Sequence, residues 1–279
     1  MNRIAQGLGK RLSRYLSEPG HTDGTTMPTR SALLAATLQP GDVLLIEGTS
    51  RISSAIKYLT QSTWSHAALY VGKDAGGIAA APSESGLPDT PTSPCFLEVD
   101  MLQGVRLVPL AHFAGFHCRV CRPVSLIVAE RQALCDFALA RLGHQYDMKN
   151  IVDLVRYLLP NPPVPSRWRR RMLALGSGDP TRAICSTLIA EAFDSVHYPI
   201  LPIIETLPAI DLLGKTHSAS VREILHVRHH SLYVPRDFDV SPYFQIVKPT
   251  IEAGFDHHGL AWSAEGDKHT PALSSHRRF

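Results

Sequence analysis

Ala183-Ile184-Cys185-Ser186-Thr187-Leu188-Ile189-Ala190-Glu191-Ala192-Phe193 places a cysteine where a loop enters an amphipathic helix. Unpaired amides and the positive end of the macrodipole at a helix N-terminus stabilise an anion, and the thiolate is the form of cysteine that attacks a carbonyl carbon. A cysteine beside apolar residues is more often inert and buried. Reading Cys185 as a nucleophile therefore depends on a base elsewhere in the chain.

Trp64-Ser65-His66-Ala67-Ala68-Leu69-Tyr70-Val71-Gly72 supplies the candidate. Its apolar, branched character predicts a strand with His66 near its beginning, closed by the loop Gly72 to Gly77. A lone strand histidine is commonly structural; a cysteine at a helix start elsewhere in the chain gives it a partner. Residues 78–94 are rich in Ala, Pro, Ser and Gly and read as a loop insertion, after which Cys95-Phe96-Leu97-Glu98-Val99 resumes strand character. Glu98 interrupts that apolar run. It is placed either to orient the His66 imidazole from a neighbouring strand or to face solvent at a strand edge.

Further out, Leu38-Gln39-Pro40-Gly41-Asp42 is turn chemistry ahead of a buried strand, Val43-Leu44-Leu45-Ile46. Ser50 to Thr60 spaces Ile52, Ile56 and Leu59 along one helical face, with serines available as caps. Gly104 to Leu110 and His117 to Pro123 predict two more strands. The second contains Cys118 and Cys121, but residues three apart on a strand point to opposite faces and no second CxxC follows, so these are packing residues and no metal site is expected. Val128 to Leu142 reads as a helix ended by Gly143. Gly143 to Asp147 is a turn carrying Tyr146, and Ile151 to Leu159 is a further helix stopped by Pro160. Tyr146 and Ser186 are the candidates for substrate contact.

Pro160 to Arg171 holds the densest basic cluster, Arg167, Arg169, Arg170 and Arg171 around Trp168. It reads as a solvated charged face or as a contact for anionic headgroups or an acidic substrate. Met1 to Leu16 spaces Ile4, Leu8, Leu12 and Leu16 opposite Arg3, Lys10, Arg11 and Arg14, as a short basic amphipathic helix would, though Gly7 and Gly9 weaken it. Ala253 to Phe279, with scattered histidines, reads as a flexible tail.

Composition is that of a globular chain: 44% hydrophobic and 19% charged over 279 residues. A formal charge of +3 gives no argument for nucleic acid. The five cysteines form an odd set without a disulfide framework, and the chain shows no secretory signal pattern and no apolar run near the roughly 20 residues of a membrane span. The expectation is a reducing, cytoplasmic compartment, with peripheral membrane contact through the basic segments as an extension.

A strand histidine, an acid on the next strand and then a helix-start cysteine resemble the NlpC-like papain-fold superfamily in circularly permuted order. The YiiX/YaeF-like branch fits through Trp64-Ser65-His66-Ala67-Ala68-Leu69-Tyr70-Val71-Gly72, Cys185-Ser186-Thr187-Leu188-Ile189, Pro235-Arg236-Asp237-Phe238 and Ser241-Pro242-Tyr243-Phe244. Lecithin:retinol acyltransferase-like proteins share the permuted order, but Ile184-Cys185-Ser186-Thr187 lacks their Asn-Cys-Glu-His motif. The resemblance implies an α+β fold, with an antiparallel β-sheet or barrel packed against helices that include the nucleophile helix. It places the catalytic domain at residues 38–250, between a basic extension at 1–37 and a tail at 251–279. It also implies a cysteine hydrolase acting on an amide or ester through Cys185, His66 and Glu98, with no metal or organic cofactor, on a small-molecule, peptide or lipid acyl substrate. The other readings are a lipid acyltransferase or thioesterase at a membrane surface, and a noncatalytic module that binds peptide or lipid with a vestigial Cys185.

Overall fold

The computed structural model describes residues 29–73, 95–100, 103–144, 184–210, 216–226 and 228–260. The basic N-terminal helix, the 78–94 loop, Tyr146, the 151–159 helix, Arg167 to Arg171 and the end of the tail lie outside these residues.

Alternation along the strands builds the core. Strands β1 (Val43–Ile46), β2 (His66–Gly72), β3 (Cys95–Asp100), β4 (Gly104–Pro109), β5 (Cys118–Pro123) and β8 (Phe244–Val247) form one antiparallel sheet in the order β4-β3-β2-β1-β5-β8. Among the described residues it is an open sheet with β4 and β8 as its edges, not a closed barrel. Side chains of odd number on β1 and β2, among them Val43, Leu45, Ala67 and Leu69, pack with Leu97, Val99 and Cys121 on one face. Leu44, Ile46, Ala68, Tyr70, Phe96, Val108 and Val120 pack on the other. Both faces are covered, so the strands read as continuous apolar runs instead of alternating ones.

On the first face lie α3 (Val128–Leu139), through Leu134 and Ala138, and α4 (Ile184–Ser195), through Leu188, Ile189, Ala192 and Phe193. Phe193 is fully buried and meets the rings of Tyr198, Phe238 and Phe244 at 5.5, 6.3 and 5.1 Å between centroids. On the second face lie α1 (Ser31–Thr37) and a 3-10 turn at Leu110–Phe113. Helix α1 falls in the stretch assigned from sequence to the N-terminal extension, yet it buries Leu34 at 2% exposure. Cys118 belongs to the second face and Cys121 to the first, as their three-residue spacing requires.

Helix α2 (Arg51–Thr60) starts on Ser50, whose Oγ accepts the Ser53 N–H at 3.2 Å. The predicted turn at Leu38 to Asp42 is held by Asp42, whose two carboxylate oxygens accept from Arg122 Nε and Nη2 at 2.9 and 2.8 Å, while Oδ2 also accepts from Gln39 N. A hairpin of β6 (Ile203–Ile210) and β7 (Thr216–His226) is not anticipated by the sequence reading. Helices α5 (Pro235–Val240) and α6 (Pro249–Glu252) flank β8. No helix among the described residues is long and apolar enough to cross a membrane.

Candidate active site

His66 opens β2, paired to Ile46 on β1. The preceding residue, Ser65, fixes the loop that leaves β1: its hydroxyl accepts the Gly48 N–H at 2.9 Å. Only glycine fits at 48, since a Cβ there would run into the Ser53 and Ser65 hydroxyls. Glu98 stands on β3, and its Oε2 lies 2.8 Å from His66 Nε2. With Nε2 engaged, Nδ1 is the ring nitrogen left for a second partner.

That partner is Cys185, the second residue of α4. Cys185, Leu188, Ile189 and Ala192 share the face of α4 that lies on the sheet, so the packing of three apolar side chains sets where the sulfur sits. Cys185 is 7% exposed and also touches Val234. Its thiol hydrogen-bonds with His66 and accepts the backbone N–H of Ala67. The amide is available because the β2–β3 ladder begins at Leu69↔Leu97. The Ala67 N–H, two residues earlier, points to the same side of β2 beyond the end of the ladder. The Ser186 hydroxyl lies 3.9 Å from the sulfur, with Ser186 itself fully buried, so it faces the thiol and not an open cleft.

The electrostatics follow from these contacts. Burial alone would push the Cys185 thiol up; the His66 charge beside it, with hydrogen bonds from His66, the Ala67 amide and Ser186, outweighs burial and holds it below its ordinary value. Burial alone would push His66 down, but the Cys185 thiolate and then Glu98 carry it up to about 10. Glu98, 4% exposed, would likewise be raised by burial, and His66 and then Arg106 bring it down to about 2. The two shifts are in the direction that favours thiolate beside imidazolium.

Arg106 is a residue the sequence reading missed. It is the direct cross-strand neighbour of Glu98 on β4, and its Nε and Nη2 donate to Glu98 Oε1 at 2.9 and 2.7 Å. Both bonds fall on the oxygen that His66 does not use, and His112 Nε2 lies 3.5 Å from the same Oε1. The signal was present: Glu98 and Arg106 are equally spaced about the short Asp100 to Gly104 connection, where a hairpin pairs them.

The remaining cysteines differ. Cys118, Cys121 and Cys135 are buried with no histidine beside the sulfur among the described residues, and neither Arg119 near Cys121 nor Arg131 near Cys135 offsets burial, which pushes the thiols of Cys118 and Cys135 up to about 12 and about 11, and that of Cys121 higher still. Among the described residues one group has three metal-type ligand atoms close together, Asp256, His257 and His258, within 4.8 Å of one another. All three are exposed, and Asp256 Oδ1 accepts the His258 N–H of the same turn at 3.0 Å.

The sheet, the helix laid on it and the cysteine, histidine and carboxylate at their junction define the class of a cysteine hydrolase with a permuted papain-like fold. Residues 37–157, less than half of the chain, match the family described as permuted papain-like amidase enzyme, YaeF/YiiX, C92 family, and the match marks the protein as an enzyme of amidase or peptidase type. The matched segment contains His66 and Glu98, while Cys185 lies beyond it. Among solved structures, the crystal structure of the metalloprotein yiiX from Escherichia coli O157:H7 is similar at 16% identity, over 75% of this chain and 96% of that one, with a TM-score of 0.42. No curated protein matches the chain.

Proposed function

We propose that the protein hydrolyses an amide bond with Cys185 as nucleophile, His66 as acid and base, and Glu98 as the group that holds the imidazole. The observation that supports this most directly is the contrast among buried cysteines: the thiol beside His66 is lowered, and those of Cys118, Cys121 and Cys135 are raised. In this reading the Cys185 thiolate attacks the carbonyl carbon and forms a C–S bond, and the C=O electron pair moves onto oxygen. The Cys185 N–H, one of the four helix-start amides without an intrahelical acceptor, is the available donor to that oxyanion. Collapse breaks the C–N bond as His66 gives its proton to the departing amine. Neutral His66 then removes a proton from water, the resulting hydroxide attacks the thioester, and the acid leaves with the thiolate restored. The step needs no oxidant, reductant or cofactor.

The test is a library of amides and esters assayed with the wild type and Cys185→Ala, together with labelling by a thiol-reactive acyl probe. The expected result is turnover of amides that falls at least about a thousandfold in the variant, with Cys185 labelled ahead of Cys118 and Cys135. Equal labelling of the three cysteines, with amide turnover unchanged in Cys185→Ala, would sink the proposal and leave a binding module. Turnover of esters alone would move the assignment to acyl transfer or thioester chemistry.

A further inference from the structure

Val234 has two neighbours of interest. On one side it packs against Cys185. On the other it lines an open pocket of about 310 Å³ shared with Thr60, Arg228, Leu232, Arg236 and Asp237. A cavity of that size accommodates part of a small ligand, and one side chain separates it from the sulfur.

The walls of this pocket are fixed. Arg236 Nη1 donates to the Thr60 carbonyl at the end of α2 at 3.2 Å. The residues around Arg236 on α5 are tied to the sheet side by Asp239, which accepts from Trp64 Nε1 at 2.9 Å and from Arg119 Nη1 at 2.6 and 2.8 Å. Val234 is tied through its N–H, which donates to Asp237 Oδ2 at 3.0 Å. Arg228 lies over the Tyr233 ring, 5.5 Å from its centroid, and 3.8 Å from Asp237 Oδ2.

Charge in the pocket is unbalanced. Two guanidiniums face one carboxylate, and that carboxylate is already occupied by the Val234 amide. Arg236 spends one Nη1 bond on Thr60, and each guanidinium has five N–H donors in a planar fork suited to carboxylate.

We infer that the pocket bounded by Arg228 and Arg236 is a substrate subsite that takes a carboxylate, so that the preferred substrate is an amide carrying an anionic group a few bonds from the scissile carbonyl. The inference rests on Cys185 being the nucleophile.

The test uses iodoacetyl derivatives of glycine, β-alanine, 4-aminobutyrate and 6-aminohexanoate, each beside the analogue in which the carboxylate is a primary amide. The rate of Cys185 alkylation is followed by mass spectrometry. His66 favours anions in every protein tested, so the informative quantity is the acid-to-amide rate ratio as a function of chain length. In the wild type the ratio is expected to peak at one length. At that length it should fall about fivefold in Arg228→Gln and in Arg236→Gln, and remain high in Arg236→Lys. A ratio independent of chain length in the wild type alone would overturn the subsite, whatever the folding of the variants. So would an unchanged ratio in the folded double Arg-to-Gln variant. A Cys185 that reacts no faster than Cys118 with either probe would instead sink the nucleophile assignment beneath it.

Discussion

Cys185 and Cys135 are both buried cysteines on helices that pack against the same face of the sheet, at 7% and 2% exposure. Their chemistry is opposite. Cys135 lies 3.9 Å from the Tyr70 carbonyl oxygen, and burial pushes its thiol up to about 11 in spite of a hydrogen bond from the Gly41 amide and the charge of Arg131. Cys185 meets an imidazole, a backbone N–H and a hydroxyl, and its thiol is lowered. Burial is common to both and raises both thiols, so the difference lies in what opposes it. The sign of the net shift is set by whether the donors and cations beside the sulfur outweigh burial: the His66 charge with the Ala67 amide and Ser186 does so at Cys185, and the Gly41 amide with the more distant Arg131 charge does not at Cys135.

The largest effect should come from removing the cation. In His66→Gln the imidazolium is gone while the burial of Cys185 remains, so its thiol should rise to or above the ordinary 9.0. A thiol at 9 is about one-hundredth ionised at pH 7, and alkylation of Cys185 by iodoacetamide is expected to drop about a hundredfold there and climb with pH. In the wild type the reactive form is thiolate beside imidazolium. Turnover should therefore rise as Cys185 loses its proton below pH 9 and fall as His66 loses its own at about 10. An alkylation rate in His66→Gln equal to that of the wild type at pH 7 would break the comparison between Cys185 and Cys135.

A smaller effect belongs to the groups behind the ring. Glu98→Gln removes a carboxylate that raises His66, so the alkaline limb should move down from about 10, with turnover reduced about ten- to a hundredfold. Arg106→Gln acts on Glu98 and not on the ring. It removes the two Arg106 bonds to Oε1, leaving His112 beside that oxygen, and takes away a positive charge near the imidazole, so the alkaline limb should hold or move up while turnover falls by less, about fivefold. Opposite movements of that limb, read from pH profiles, separate positioning from mere loss of folding. Glu98 also links the site to acid stability. Its folded value of about 2 lies below its ordinary 4.5, so its contribution is complete above pH 4.5 and is lost as pH falls toward 2, an amount of roughly 3 kcal/mol in urea or thermal unfolding.

The sequence made part of this site legible for a physical reason. Strand periodicity and helix capping are local, so Val43–Ile46, the His66 strand, the Glu98 strand and the helix beginning at Ile184 can be read from their own residues. The opposed faces of Cys118 and Cys121 follow from a period of two. Arg106 required a register, which a single strand does not carry. The Ala67 amide was out of reach, because every residue has an N–H and only the end of the β2–β3 ladder makes this one available. The β6–β7 hairpin was obscured by Pro208, which argues against a strand interior; the structure accommodates it with a register shift between Pro208 and Ala209.

The smallest effect tests the other member of the comparison. Cys135 is 2% exposed, and Cys135→Ala removes one sulfur from the packed face shared with Leu134, Ala138 and Leu188. The cost is that of a small cavity, about 1 kcal/mol, which in a domain of this size lowers Tm by roughly 2–4 °C. Its thiol stays protonated at neutral pH, so alkylation of Cys185 and its pH dependence should be unchanged. A change in the Cys185 rate would mean that Cys135 helps to seat α4 on the sheet, because the sulfur of Cys185 is aimed by that same apolar face. The two cysteines would then be coupled through packing, and the contrast between them would no longer be one of local electrostatics alone.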